Sequence, residues 1–201
     1  MLTVESLSCV RGERLLFSDL DIAVTAGEWL HVQGENGAGK TSLLRLLAGL
    51  SQPAAGEIRW RGDLIGELQE EYRRELLFLG HQGAVKEDLT PLENLSLAAQ
   101  LDGGRLEEAA ALAALARFGL AGREDLPVRC LSAGQKRRVL LARLAVREAA
   151  LWILDEPFTA LDVKAVEMLA ALIGEHLAGG GMAVLTSHQS MPLPNGKAVK
   201  L

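Results

Sequence analysis

The stretch WLHVQGENGAGKTSLLRLLAGL, residues 29–50, changes character twice. It opens on a short apolar run, WLHVQ (29–33), which reads as a strand. It closes on Leu43, Leu46, Leu47 and Leu50, spaced i, i+3, i+4, i+7 as one helical stripe, with Gly49 placed to help end it. Between them GENGAGKT (34–41) matches G-x-x-x-x-G-K-[ST]. A strand before that pattern and a helix after it make it a phosphate cradle rather than a chance turn. Glycines let backbone N–H groups converge on an anion with no Cβ in the way, and the helix adds its positive end. The candidate binding residues are therefore Gly34, Glu35, Asn36, Gly37, Ala38, Gly39, Lys40, Thr41 and Ser42. Lys40 is expected to reach the β- and γ-phosphates, Thr41 to place its hydroxyl on Mg²⁺, and Ser42 to donate to the α-phosphate. Taken alone, the pattern implies a nucleoside triphosphate and nothing narrower.

Further strands are expected at 2–10, 57–60, 75–80, 151–155 and 182–187. Several are continuous apolar runs, as in a parallel sheet covered by helices on both faces. Strand signals stop near residue 82 and resume near 150. The segments LTPLENLSLAAQL and GRLEEAAALAALARFGL in between are built from strong helix formers, with Gly103-Gly104 separating two helices. The fold class expected is α/β, with a mostly helical insert. LWILDEP (151–157) would deliver Asp155 at the C-terminal end of a buried strand, where ligands sit in open α/β sheets. Asp155 is then expected to hold Mg²⁺ through water, and Glu156 to orient or deprotonate an attacking water. Without the phosphate loop, Asp-Glu after a strand would read better as a turn with helix-capping acids. With the loop, the metal-and-base reading is favoured.

LSAGQKRRVLLARL (131–144) begins on small residues and runs into three cations. Alone it reads as a helix cap. Gln82 in FLGHQ, TALD at 159–162 and His188 in TSHQ are each weak signals too. In order with the phosphate loop and the Asp-Glu strand, they make the chain resemble the nucleotide-binding domain of ABC transporters, over nearly its whole length. The resemblance implies a P-loop NTPase fold: a RecA-like core with a mainly parallel sheet, an antiparallel β region and an inserted α-helical subdomain. One domain, 1–201, would divide into a core of 1–82 and 144–201 and a signature subdomain of 83–143. It implies ATP hydrolysis with Lys40, Gln82, Glu156 and His188 as catalytic residues, and Mg²⁺ held by Thr41, Gln82 and Asp155. It also implies a homodimer in which ATP is sandwiched head to tail. Ser132, Gly134, Gln135 and Asp162 would then face nucleotide across the interface. Two departures matter. Ala133 stands where the pattern has glycine, which adds only a methyl group. CVRGERLLF (9–17) carries no aromatic to stack on adenine before Phe17, so Arg11 is left to present its planar guanidinium instead.

Within that family the brevity of the chain and its motif wording look most like the ATPase subunits of haem-exporter complexes in cytochrome c maturation. The resemblance implies a peripheral subunit on the cytoplasmic face of the bacterial inner membrane. Separate integral membrane permease subunits would dock near Gln82 and the helical subdomain and would handle the haem. Whether ATP drives haem itself or releases a haem-loaded chaperone is left open. The alternatives are the ATPase of another small-substrate exporter, a soluble non-transport ABC ATPase, and a binding module without turnover.

Composition agrees with these expectations. The 201 residues carry a formal charge of −5, against the basic balance that binding to nucleic acid backbones favours, so no nucleic acid partner is expected. No apolar run is long enough to span a bilayer. The N-terminus lacks a basic region followed by a long apolar core, so no signal peptide is expected. Cys9 and Cys130 have neither metal-ligand nor redox spacing.

Overall fold

The computed structural model describes residues 1–80, 85–187, 193 and 196–201. The chain forms two compact units: 1–80 with 149–157 and 174–201, and 81–148 with 158–173. The second takes in 158–173, which the sequence reading assigned to the core.

In the first unit, β1 (Leu2–Arg11), β2 (Arg14–Val24), β4 (Ala55–Trp60) and β5 (Asp63–Leu64) form an antiparallel sheet in the order β2-β1-β4-β5. Its central strand does not keep a clean period of two. Leu2 and Val4 are buried, the chain turns at Ser6 with φ +47, and the buried set resumes at Leu7 and Cys9. The bulge packs so closely on Gly56 that a Cβ there would lie 2.4 Å from the Ser6 carbonyl oxygen, so only glycine fits. β2 was not anticipated from sequence for a related reason. Asp19, at φ +51, interrupts the alternation that would have marked it.

The second sheet, also in this unit, is wholly parallel. Its strands are β3 (Trp29–Gln33), β6 (Leu76–Leu79), β7 (Leu151–Leu154), β8 (Met182–Thr186) and β9 (Lys197–Lys200), ordered β6-β7-β8-β3-β9. Every residue of β7 and β8 is buried, as expected of central strands covered on both faces. β9 is a short edge strand whose sequence, KAVK, carries too little apolar signal to predict. Helix α1 (Lys40–Leu47) sinks Leu43, Leu44, Leu46 and Leu47 into the core beside Leu30, Val32, Ile58 and Val184. Each such leucine contributes roughly 1.5–3 kcal/mol. Leu50, read as the last residue of this stripe, is 50% exposed. The helix ends first, and Gly49 turns the chain away at φ +67. Two short helices, α2 (Ile65–Leu68) and α3 (Glu70–Glu75), precede β6; Tyr72 of α3 is buried and donates to the Leu47 carbonyl at 2.6 Å.

The second unit is helical: α4 (Pro91–Leu101), α5 (Glu108–Arg117), α6 (Ala133–Val146) and the greater part of α7 (Val163–Ala178). A capping box starts α4, with Thr90 and Glu93 exchanging side-chain and backbone bonds and Pro91 just inside the helix. Small residues let α5 lie close to its neighbours through Ala111, Ala114 and Leu115. Asp102, at the end of α4, is held by Arg147 at 2.9 Å and Arg143 at 3.8 Å, both from α6 or its C-cap.

The last turn of α7 returns to the first unit. There His176 stacks on Trp152, with ring centroids 3.8 Å apart and planes 4° from parallel, and its Nε2 lies 3.0 Å from the Met182 carbonyl. Burial lowers the ring's pKa below the ordinary histidine value, and the bond to Met182 offsets this in part. A folded pKa below the unfolded one means the unfolded chain binds the proton first as pH falls. The stabilisation is therefore present above the unfolded pKa of about 6.5 and lost below it. The melting temperature is expected to fall between pH 7.5 and 5.5 by more in the parent chain than in His176→Phe, which keeps a ring on Trp152 but has no proton to gain. Equal slopes in a thermal melt would remove His176 from this role.

Candidate nucleotide site

The phosphate loop leaves β3 at Gly34 and enters α1 at Lys40. Gly39 is the N-cap, at φ +109 with no side-chain cap, and no acidic residue occupies the first turn. The first N–H groups of the helix are thus left without the side-chain acceptor that usually covers one of them. A Cβ on Gly39 would sit 3.2 Å from Leu16 Cβ, so glycine here serves both the left-handed turn and close packing on β2. Lys40 is 9% exposed. Its ammonium donates to the carbonyls of Gly34 at 2.8 Å and Glu35 at 3.1 Å, folding the loop around itself. Ser42 lies in the first turn of the helix beside Thr41, and Glu35, Asn36, Gly37 and Ala38 make up the rest of the loop, with Gly37 at φ +82.

The neighbouring strand ends supply the acids. β7 delivers Asp155, which is 2% exposed and whose N–H continues the sheet by donating to Leu79. The Thr41 hydroxyl donates to Asp155 Oδ2 at 2.8 Å, so two residues 114 positions apart meet. A hydroxyl and a carboxylate are hard oxygen donors of the kind Mg²⁺ takes. Among the described residues no three His, Cys, Asp or Glu side chains cluster as a metal site. Glu156 follows in the left-handed region at φ +50, a conformation costing a non-glycine residue of order 1–3 kcal/mol. Thr186, at the end of β8, meets both acids: its hydroxyl donates to Asp155 Oδ1 at 2.7 Å and accepts from the Glu156 N–H at 2.8 Å. No sequence signal marked Thr186.

Ser132, Gly134, Gln135 and Asp162 lie in the helical unit. Ser132 is the N-cap of α6 and forms a closed capping box. Its hydroxyl accepts from the Gln135 N–H at 3.3 Å, and the Gln135 side chain accepts from the Ser132 N–H at 2.9 Å. The cap reading of LSAGQ is therefore correct as local structure. It remains compatible with a ligand role, because the box uses a lone pair of Ser132 and leaves the hydroxyl proton to donate. A Cβ on Gly134 would meet only the Ala160 carbonyl, at 3.6 Å. Asp162 caps α7 by accepting from the Ala165 N–H at 2.8 Å and pairs with Arg138 at 3.0 Å.

Arg11 stands exposed at the end of β1, opposite Arg14 in the β1–β2 register. Beside it Val10 and Leu15, also paired across the strands, are 48% and 57% exposed. Trp29 and Trp60 are buried. Gln82 and His188 lie outside the described residues.

The chain matches the family model for ABC transporter over residues 17–159. It is 56% identical to the cytochrome c biogenesis ATP-binding export protein CcmA of Dechloromonas aromatica (strain RCB), over 100% of this chain and 98% of that one. It is 53% identical to the protein of the same name from Nitrosomonas europaea, over 95% and 90%. Among solved structures, an ATP-binding subunit of an ABC transporter superposes with a TM-score of 0.83 at 31% identity, covering 93% of this chain and 79% of that one. A dimeric bacterial ABC transporter cassette superposes at 0.81 with 24% identity, over 94% and 88%, and shares the fold.

Proposed function

The chain belongs to the ABC transporter family of ATPases, and from that premise we propose that it is the ATP-hydrolysing subunit of an exporter serving cytochrome c biogenesis. What carries the ATPase reading is the meeting of Thr41 and Asp155 beside the phosphate loop. The export reading is supported by 53–56% identity, over nearly the whole chain, to proteins named for that process.

In the reaction, the loop amides and Lys40 hold the β- and γ-phosphates, and Lys40 exchanges its carbonyl partners for phosphate oxygens. Thr41, Gln82 and, through water, Asp155 would hold Mg²⁺, which when bound would supply positive charge against the phosphates. Glu156 takes a proton from water as the water oxygen bonds to the γ-phosphorus. The bond from that phosphorus to the bridging oxygen breaks, and the electron pair leaves with ADP. His188, which follows Thr186 by two positions in sequence, takes the catalytic role of the family's switch histidine in this reading. A second copy completes each site by presenting the α6 N-terminus, with Ser132, Gly134 and Gln135, and the segment carrying Asp162. Unsatisfied helix N–H groups and the Ser132 hydroxyl proton suit an anion there. Arg11 flanks the base, with exposed Val10 and Leu15 next to it.

Among the described residues no helix is long and apolar enough to cross a membrane. On its likeness to the ATP-binding export proteins, the proposal places the chain peripherally, on the cytoplasmic face of the inner membrane. Integral permease subunits dock near Gln82 and the helical unit and handle the haem. Purification of the tagged chain in detergent tests this. Integral membrane proteins retained with it are the expected result, and recovery with nucleic acid or ribosomes instead would overturn it.

A further inference from the structure

β8 lies between β3, which leads into the phosphate loop, and β7, which ends at the two acids. Its residues Met182, Ala183, Val184 and Leu185 are apolar, and the strand then ends on Thr186, which is 0% exposed. A hydroxyl has one proton and two lone pairs. At Thr186 the proton goes to Asp155 Oδ1, and a lone pair takes the Glu156 N–H. Because Oδ1 is engaged, Oδ2 is the oxygen presented to Thr41. Because the Glu156 N–H is engaged, the backbone of that residue is tied down in its left-handed conformation. One buried oxygen thus orients the Asp155 carboxylate and anchors the backbone that carries the Glu156 side chain.

We infer that Thr186 is a positioning residue for ATP hydrolysis, acting through Asp155 and Glu156 and touching neither nucleotide nor water. The inference rests on Glu156 being the base. Valine matches threonine in shape but leaves the Glu156 N–H buried without its acceptor. Serine keeps the hydroxyl and loses only a methyl group.

The test compares Thr186→Val, Thr186→Ser, Glu156→Gln and the double variant Thr186→Val/Glu156→Gln. Each is made as the full chain, purified with whatever membrane subunits accompany it. Thr186→Val is expected to bind ATP within about threefold of the parent, since Lys40 and the loop are untouched. Its kcat should fall about 10- to 100-fold, the scale of losing a buried hydrogen bond, and the Mg²⁺ needed for half-maximal rate should rise. Thr186→Ser should recover most of the rate. The double variant should be no slower than Glu156→Gln alone, because both act on one step. Should the valine chain not fold, Thr186→Ala carries the same expectations. Turnover by Thr186→Val within threefold of the parent, or a serine variant as slow as the valine one, would overturn the inference while leaving Glu156 as base. Near-normal turnover by Glu156→Gln would instead remove the base reading beneath it.

Discussion

Glu156→Gln is expected to bind ATP, pair with a second copy and remain paired, while hydrolysing about 10²- to 10⁴-fold more slowly than the parent chain. The amide has the shape of the carboxylate but no basic oxygen to take a proton from water. The backbone bond from residue 156 to Thr186 does not depend on the side chain, so the φ +50 conformation should persist. Nucleotide affinity should be retained, because the cradle is built from Gly34–Ser42 and not from Glu156. Uncleaved triphosphate would then hold two copies together. Single-turnover phosphate release measures the first effect. Light scattering with ATP measures the second, as a doubling of mass that persists in the variant and decays in the parent. Turnover near the parent rate would remove Glu156 as base, and monomers throughout the cycle would remove the shared site.

Lys40→Ala should fail earlier, at binding. The ammonium is almost wholly buried and supports two loop carbonyls at 2.8 and 3.1 Å. Alanine therefore removes the charge that would meet the phosphates and also a strut that shapes the loop. A hydrogen bond to a charged group is worth about 1.5–3 kcal/mol, equivalent to a roughly 10- to 100-fold loss of ATP affinity, and the loosened loop adds to that. On the proposed mechanism Lys40 also faces charge that develops during the reaction, so the rate at saturating ATP should fall as well. Titration calorimetry gives the first quantity and saturation kinetics the second. Affinity within threefold of the parent would show that the backbone amides alone hold the nucleotide. The contrast between the variants is diagnostic: loss of the base leaves binding intact, whereas loss of the lysine does not.

These two residues could be found without a structure because their chemistry is local. The cradle is a contiguous run, GENGAGKT, whose glycines and helix start are themselves the proposed binding groups, and Asp155-Glu156 closes an apolar strand in plain view. The signature stretch was legible as a helix cap, and the structure shows the capping box formed. Other elements were hidden by geometry. A bulge at Ser6 and a left-handed residue at Asp19 break the period of two on which strand reading depends, so β2 passed unnoticed. Leu50 keeps helical spacing, yet the helix ends before reaching it.

The sequence by itself determined the phosphate loop, the acid pair, the α/β class and the helical insert, since each follows from neighbouring residues and their periodicity. Only the tertiary structure decided which strand stands between the loop and the acids. That order puts the Thr186 hydroxyl in bonding reach of residues 30 and 31 positions away. Strand order arises from burying apolar faces together, a property of the whole sheet, so no local pattern around Thr186 could announce it.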